Sequence, residues 1–226
     1  MSISNSDHYL NMDRDDSVVP RKRLTRAEAR AQTRRRLLDA AAETFARKGY
    51  DAASVEEIAE AAGYSVGAVY SNFSSKEQLF SELRSERAAL RLDEVADALR
   101  SAQGDPGGPF AKLSRQLVEV ADKNIEVAAL HTEFWLHAIR NPGAMDVLAE
   151  SVGQTLQSLT GIAADLLAEH NVDQSVVRPE TFAVSLLALH QGLIRQRRTN
   201  PSWVPEELFG QLLSWLLAGM PKLPAH

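Results

Sequence analysis

The sequence contains no cysteine, and this absence excludes disulfides, zinc–thiolate sites and thiol nucleophiles. Aromatic residues make up only 6% of the chain, whereas alanine and leucine are abundant, and this composition favours helices over sheets. No apolar run reaches the roughly 18 residues of a transmembrane helix, and the N-terminus lacks the apolar stretch of a signal peptide. We therefore expect a cytoplasmic protein, whose 226 residues suffice for one large or two small domains.

The net charge of −5 is unevenly distributed along the chain. Residues 1–20 are acidic, polar and without periodicity, and we expect a disordered tail there. Residues 21–76 contain eleven Lys and Arg against seven Asp and Glu, whereas residues 77–226 contain thirteen against nineteen. The basic segment is therefore the part of the chain suited to a polyanion such as nucleic acid.

Residues 54–76 (SVEEIAEAAGYSVGAVYSNFSSK) have the pattern of two short helices joined by a tight turn. Ser54 and Glu57 form a capping-box pattern at the start of the first helix, and Gly63 stands where that helix must end. Ser65 can cap the second helix, whose outward positions carry small and polar side chains, as entry into the DNA major groove requires. An ordinary helical hairpin inside an all-α domain explains the turn pattern equally well.

A basic helix is predicted immediately before this motif. Thr25 and Glu28 form a second capping-box pattern, and Gly49 marks the C-terminal end of the helix. The candidate phosphate contacts at or before its N-terminus are Arg23, Arg26 and Arg30. Phosphate contact there would position the reading helix without adding sequence information, and a solvated arginine face is the alternative interpretation.

Another helix is predicted to begin just after the motif. Ser75 and Gln78 form a third capping-box pattern, followed by about 25 residues of helix that would link two domains. Lys76 lies in the first turn, where a positive charge opposes the helix macrodipole unless an anion is close. We therefore include Lys76 among the candidate phosphate contacts.

The rest of the chain is predicted to be helical, without a convincing strand or internal repeat. The sequence GDPGGP at residues 104–109 is the clearest interruption. The helices predicted beyond it span residues 110–124, 127–140, 144–170, 179–198 and 205–219. The predicted fold class is all-α.

Residues 34–80 resemble the DNA-binding domain of TetR-type transcriptional regulators. The resemblance runs through LLDAAAETFARKGYDAASVEEIAEAAGYSVGAVYSNFSSKEQLF, with its Gly-Tyr, Ile-Ala, Ala-Gly, Val-Tyr and Ser-Lys pairs at the family's spacing. It implies about nine helices, a homodimer on a near-palindromic operator and, usually, release by a small molecule. The expected parts are a tail at 1–20, a helix-turn-helix domain at 21–76, and a helical ligand-binding and dimerisation domain at 77–226.

The resemblance also implies roles for individual residues of the motif. Ser65, Tyr70 and Lys76 occupy positions that commonly contact phosphate in the family, although Tyr70 is equally suited to a place in the core. Gly67 and Ala68 stand where the backbone approaches the groove and bases are read.

Three residues of the motif, Val66, Ser71 and Asn72, depart from the commoner residues of the family. Asn72 nevertheless has the chemistry to read adenine, and Val66 could meet a thymine methyl group. The full set of candidate DNA-binding residues is Arg23, Arg26, Arg30, Ser54, Ser65, Val66, Gly67, Ala68, Tyr70, Ser71, Asn72 and Lys76.

The segment HTEFWLHAIR at residues 131–140 is similar to one in the family's ligand-binding domain. The candidate ligand-binding residues are His131, Phe134, Trp135 and His137. Ordinary roles in the core or on the helix surface are the alternative for all four. The helices at about 179–198 and 205–219 are expected to form the homodimer interface, because both carry broad apolar surfaces.

The favoured hypothesis is a cytoplasmic, dimeric repressor that a small molecule releases from a palindromic DNA operator. The alternative is an effector-independent DNA-binding regulator or architectural protein. A helical-bundle enzyme or carrier is a remote third hypothesis, because Glu133 and His137 share one helical face but no further metal ligand can be assigned. The sequence has no Gly-rich phosphate loop, nucleophile elbow or catalytic triad, so we expect neither catalysis nor a cofactor. Since no apolar run is long enough to span a membrane, we expect no membrane partner.

Overall fold

A computed structural model describes residues 25–100, 110–123 and 125–224. Within these ranges the chain forms nine α-helices, and an isolated antiparallel bridge joins Val172 to Lys222. The helices are α1 (Arg26–Lys48), α2 (Val55–Ala62), α3 (Val66–Asn72), α4 (Lys76–Arg100), α5 (Ala111–Lys123), α6 (Ile125–Arg140), α7 (Pro142–Glu169), α8 (Pro179–Thr199) and α9 (Leu208–Gly219). The predicted all-α class is confirmed.

Three predictions concern residues that lie outside the described ranges. They are the tail at 1–20, the phosphate contact of Arg23 and the interruption at 104–109. The five helices predicted beyond the interruption agree with α5–α9 to within three residues at each end. The largest difference is the start of α9, which follows a short 3₁₀ turn at Pro201–Trp203. None of the helices in the described parts is long and apolar enough to cross a membrane.

Local capping signals set the ends of the first three helices. Thr25 and Ser54 accept hydrogen bonds from the backbone amides of Glu28 and Glu57. Each glutamate carboxylate in turn accepts one from the amide of its cap residue, which completes both capping boxes. Gly49 follows α1 with φ at 80°, a conformation that favours glycine. The signals therefore act as predicted at both ends of α1.

The third predicted capping box, at the start of α4, is only half right. Ser75 Oγ accepts a hydrogen bond from the amide of Gln78 at 3.2 Å. The Gln78 side chain, however, accepts from the amide of Ser74 at 2.5 Å and from the Ser74 hydroxyl at 2.7 Å, one residue earlier than predicted. Because Ser74 offers two donors, it outcompetes the single amide of Ser75 for the glutamine oxygen.

The first hydrophobic core joins α1–α3 to the start of α4, and it also takes in residues of α6 and α7. Its fully buried side chains include Leu37, Phe45, Tyr50, Ile58, Val69, Phe73, Phe80 and Phe134. Because Phe134 comes from α6, this core crosses the domain border expected at residue 76. The division into two domains therefore stays a proposal.

The second core holds together the helices of the C-terminal body. Its buried residues come from the end of α4, from α5, from the second half of α7, and from α8 and α9. Phe110, Leu117, Leu167, Phe182 and Leu213 are among them. The 25-residue helix α4 contributes to both cores and connects them, as its predicted length implied.

Candidate DNA interface and interior site

The turn between α2 and α3 is closed by a left-handed glycine. Gly63 has φ at 73° and ψ at 30°. Its amide donates to carbonyl oxygens in the last turn of α2, and the amide of Tyr64 donates to the carbonyl of Ala59 at 2.9 Å. Ser65 then caps α3, since its hydroxyl accepts a hydrogen bond from the amide of Ala68 at 3.2 Å. The chain thus reverses from α2 into α3 over three residues.

The seven-residue helix α3 has one buried face and one exposed face. Val69 and Phe73 are each 1% exposed and anchor the helix in the first core. Ser65, Gly67, Tyr70 and Ser71 are exposed, whereas Val66, Ala68 and Asn72 are half-buried. Tyr70 is 52% exposed, which places its ring outside the core and answers the alternative that the sequence left open for this residue.

The side chain of Asn72 is folded back against its own helix. Its Nδ2 donates to the carbonyl of Ala68 at 2.8 Å, and its Oδ1 is buried without a hydrogen-bond partner among the described residues. Reading adenine would require the amide to present a donor and an acceptor to the base edge, so the side chain would have to turn outward first. Ser71 is exposed, and its hydroxyl also donates to the carbonyl of Ala68, at 2.9 Å.

The N-terminal half of α1 lies beside the end of α3. The Arg30 guanidinium is 3.5 Å from the carbonyl oxygen of Ser71, and Arg26 is exposed one turn earlier. Arg34 is held more firmly, because it donates to the carbonyl of Asn72 at 2.5 Å, pairs with Glu82 and stacks 4.3 Å above the ring of Phe73. Arg26 and Arg30 therefore add positive charge next to the exposed face of α3.

Lys76, in contrast, has partners within the protein. Its Nζ donates to the carbonyl of Asp51 at 3.3 Å and lies 4.4 Å from the centre of the Tyr50 ring. Burial lowers the pKa of Lys76, while the charges of Asp51 and Glu77 oppose that shift. These contacts are a structural reason for a lysine at this helix start, so its role at phosphate rests on the resemblance alone.

Ser54 also serves the fold. It is half-buried, and its hydroxyl accepts the hydrogen bond that closes the capping box of α2. A phosphate oxygen would have to accept from the same hydroxyl without disturbing the cap.

The four candidate ligand-binding residues are not brought together. Phe134 is fully buried in the first core against Tyr50 and Phe80, with ring centres 4.8 and 4.6 Å apart. Trp135 is 54% exposed on the outer surface of α6. Neither residue lines an interior site, so the structure favours the core and surface alternatives for this pair.

His137 and its neighbour Glu133 join α6 to the DNA-binding region. The Glu133 carboxylate accepts a hydrogen bond from the amide of Tyr50 at 2.7 Å. The His137 ring lies between the carboxylates of Asp51 and Glu77, at 3.6 and 3.4 Å. His137 is therefore part of a contact between α6 and the segment that follows α1, and not of a pocket.

Gly49 lies directly against this contact. A Cβ atom at residue 49 would lie 2.6 Å from Oε2 of Glu133, closer than real Cβ atoms approach other atoms. A side chain at residue 49 would therefore push the Glu133 carboxylate aside and disturb its hydrogen bond with the amide of Tyr50.

His131 is half-buried against Phe80 of α4, and the sequence reasoning missed the arginines that act on it. Arg84, Arg87 and Arg91 are spaced by three and four residues, so they leave one face of α4. His190 of α8 is also half-buried, with its ring centre 5.8 Å from that of Phe209. We define Arg84, Arg87, Arg91, His131 and His190 as the interior cationic cluster. The spacing of the three arginines along α4 was the feature of the sequence from which the cluster could have been predicted.

The surroundings keep both histidines of this cluster neutral. Burial, followed by the charges of Arg84, Arg91, Arg87 and Arg198, lowers the pKa of His131 to about 3. Burial and the charge of Arg91 lower the pKa of His190 to about 4. The positive charge of the cluster at neutral pH therefore belongs to its arginines.

A separate groove of about 690 Å³ lies between α1, α4 and α7. Both arginines of its lining are paired, Arg34 with Glu82 and Arg35 with Glu86 at 2.6 Å, and Glu150 adds a further negative charge. Across the described residues, no group of three or more His, Cys, Asp or Glu side chains is arranged to hold a metal ion.

The capped α2–turn–α3 unit, packed against a basic first helix, is a helix-turn-helix of the kind found in DNA-binding domains. Residues 37–83 match the family of bacterial regulatory proteins described as the tetR family. Residues 37–83 therefore carry the regulatory-protein domain of this family, as the resemblance of residues 34–80 implied.

Known relatives and solved structures agree with this assignment. The HTH-type transcriptional regulator AcrR of Shigella flexneri is 33% identical over 131 residues, which span 57% of this chain and 59% of that protein. The chain thus matches less than two thirds of this relative's length. A transcriptional regulator from Rhodococcus sp. Rha1 is 27% identical, with a TM-score of 0.59 over 84% of this chain and 99% of that one.

A third solved structure is a complex with a small molecule. The multidrug binding protein EbrR, complexed with proflavin, is 22% identical and has a TM-score of 0.55 over 81% of this chain and 99% of that one. At this level of identity the likeness concerns the fold.

Proposed function

We propose that this protein is a cytoplasmic, homodimeric transcriptional repressor without enzymatic activity or cofactor, which leaves a palindromic DNA operator when a small molecule binds its body. One observation carries the proposal. The exposed face of α3 consists of small and polar side chains, with Arg26 and Arg30 beside it. Such a face can approach base edges in a groove about 12 Å wide while the arginines contact the phosphates on either side.

The candidate residues divide by role in this proposal. Gly67, Ala68 and Ser71 would approach the base edges, together with Val66. Phosphate contacts would come from Arg26, Arg30, Ser65, Tyr70 and Lys76. These contacts would fix the register of α3 on the duplex but would not select the sequence.

The salt dependence of binding tests the DNA part of the proposal. If a dimer neutralises about ten phosphates, log K plotted against log salt concentration should fall with a slope near −9. Fluorescence anisotropy on a labelled duplex, selected by the protein from a random library, measures this slope. A slope shallower than about −3 would contradict phosphate-mediated binding.

The proposed dimer forms through α8 and α9. Val184 on α8 and Trp215 and Leu216 on α9 are 51%, 63% and 41% exposed in the single chain, although all three are large and apolar. Burying such surface against a second copy removes it from water. The dimer would then present two α3 helices to successive major grooves about 34–36 Å apart.

Introducing a charge into this surface should separate the subunits. We expect Leu216→Glu to convert a dimer into a 24.8 kDa monomer, because a carboxylate would be buried without a partner. Size-exclusion chromatography with light scattering measures the mass. Leu90→Glu is the matched control, since Leu90 is 60% exposed on α4, a helix outside the proposed interface, and the variant should stay dimeric. A dimeric Leu216→Glu protein, or a monomeric wild type, would contradict the proposed interface.

Release of DNA would be coupled to the body through α6. This helix presents His131 to the interior and, within two turns, Glu133 and His137 to residues 49–51 and the start of α4. A ligand that favours a different position of α6 would move these contacts and change the separation of the two α3 helices. A coupling of about 1–3 kcal/mol per ligand is typical of such transitions. The EbrR complex with proflavin supports a small-molecule site in this fold.

A further inference from the structure

We propose that the interior cationic cluster binds the anionic group, a carboxylate or a phosphate, of a small organic molecule whose remaining part is apolar. Only the further step, that this molecule is the effector releasing DNA, rests on the proposed function. Binding itself is a property of the body, and it can be measured without DNA.

Arg84 carries the inference. Its Nε is buried and has no hydrogen-bond partner among the described residues, although a guanidinium provides five N–H donors. None of Arg84, Arg87 and Arg91 forms an ion pair with a carboxylate within the described ranges. A buried guanidinium N–H without an acceptor is unfavourable for folding, and such a group is retained where a ligand supplies the acceptor.

The cluster is assembled from three helices that are far apart in sequence. Arg84 and Arg91 come from α4, His131 from α6 and His190 from α8. A further orphaned polar atom, Oε1 of Gln116, lies buried on α5, which packs against both α4 and α8. Convergent polar groups in an otherwise apolar interior are typical of small-molecule sites.

The sign of the charge selects the ligand class. Elsewhere in the chain, arginines near the same helix meet carboxylates, as Arg34 does with Glu82 and Arg35 with Glu86. Within the described ranges, the exposed carboxylate of Glu94 on α4 opposes the lowering of the pKa of Arg91. Planar guanidinium groups bind carboxylates and phosphates through paired hydrogen bonds, whereas an ammonium ion entering this site would be repelled.

Aromatic rings next to the cluster suit an apolar ligand body. The ring of Phe80 meets that of His131 edge-on at 6.3 Å between centres, and Phe209 meets His190 in the same way at 5.8 Å. The rest of the second core supplies leucine and valine side chains on α4, α5 and α8. The ligand is therefore an amphipathic anion and not a free inorganic ion.

Matched probes test the ligand class on the full chain. One set of probes is built on a naphthalene ring and the other on a ten-carbon chain. Within each set, the probes differ only in the head group, which is a carboxylate, a phosphate, a neutral amide or an amine. Thermal unfolding and fluorescence titration measure the Tm shift and the Kd, since a ligand that binds only the folded state raises Tm. We expect the anions of at least one set to raise Tm and to bind about tenfold or more tightly than the amide and the amine.

Variants of the cluster locate the site. Arg84→Met should raise the Tm of the ligand-free protein, because it replaces a guanidinium whose buried Nε has no acceptor among the described residues by an apolar chain. The same variant should weaken anion binding about tenfold or more. Arg91→Met is a second variant with the same expected loss of binding. Arg140→Met is the control, since Arg140 is exposed at the end of α6, and its anion affinity should stay unchanged.

Two results would overturn the inference. One is that anionic and amine probes give equal Tm shifts and Kd values with the wild-type protein, or that neither kind of probe binds. The other is unchanged anion affinity in both Arg84→Met and Arg91→Met. DNA binding, measured in parallel, separates this inference from the proposed function: anion binding by a chain that does not bind DNA would overturn the repressor role and leave the anion site standing.

Discussion

Replacing Gly67 by glutamate is expected to reduce DNA affinity about 100-fold or more without destabilising the protein. Gly67 lies exposed in the first turn of α3, and the nearest atom to an added Cβ is Ser65 Oγ at 3.7 Å, so the fold has room for the side chain. An acidic residue in the first turn suits the helix macrodipole, and glutamate is a better helix former than glycine. On DNA the same carboxylate would hold α3 away from the bases and repel the phosphates.

Anisotropy titration of the selected duplex measures the affinity, and thermal unfolding measures the Tm, which should equal or exceed that of the wild type. Gly153→Glu is the matched control, because Gly153 is exposed on α7, has nothing within 4 Å of an added Cβ and receives the same charge. Its DNA affinity should change by less than about twofold, since surface charges beyond a Debye length are screened. Equal losses in the two variants would mean that net charge, and not the face of α3, explains the effect.

Replacing Phe134 by alanine should lower the free energy of unfolding by about 3–5 kcal/mol. The ring is fully buried and packs against Tyr50 and Phe80 with centres 4.8 and 4.6 Å apart, which joins α6 to the first core. Its removal leaves a cavity that the surrounding rings cannot fill without giving up their own contacts. Urea unfolding of both proteins, followed by circular dichroism, gives the difference.

The neighbouring Trp135 provides the control for this substitution. Trp135 is 54% exposed, so Trp135→Ala should cost only about 0.5 kcal/mol although it removes the larger side chain. Comparable losses at the two positions would show that Phe134 does not hold α6 against the first core.

Local signals in the sequence were sufficient to place most of the helices. Capping boxes at Thr25 and Ser54, together with Gly49 and Gly63, act within four residues of the ends that they define. Apolar periodicity likewise identifies the buried face of a helix, as at Val69 and Phe73. These features depend on neighbours along the chain, so they can be read before any tertiary contact is known.

Sequence reasoning was less successful where two similar residues had to be told apart. The segment 131–140 offered Phe134 and Trp135 as equivalent candidates for a ligand site. Packing places Phe134 in the core and Trp135 on the surface, because only one side of α6 meets the first core. Lys76 is a similar case, since its partners Asp51 and Tyr50 lie 25 or more residues away in the chain.

The sequence by itself determined the helix-turn-helix, the basic helix before it and the resemblance of residues 34–80 to the tetR family, because capping, glycine turns and apolar spacing are local properties. Only the tertiary structure decided which side chains meet across helices. The bond from Tyr50 to Glu133 joins residues 83 apart in sequence, and the interior cationic cluster draws on α4, α6 and α8. Spacing shows that three arginines share a face of α4, but whether that face is turned toward water or toward other helices depends on how the whole body packs.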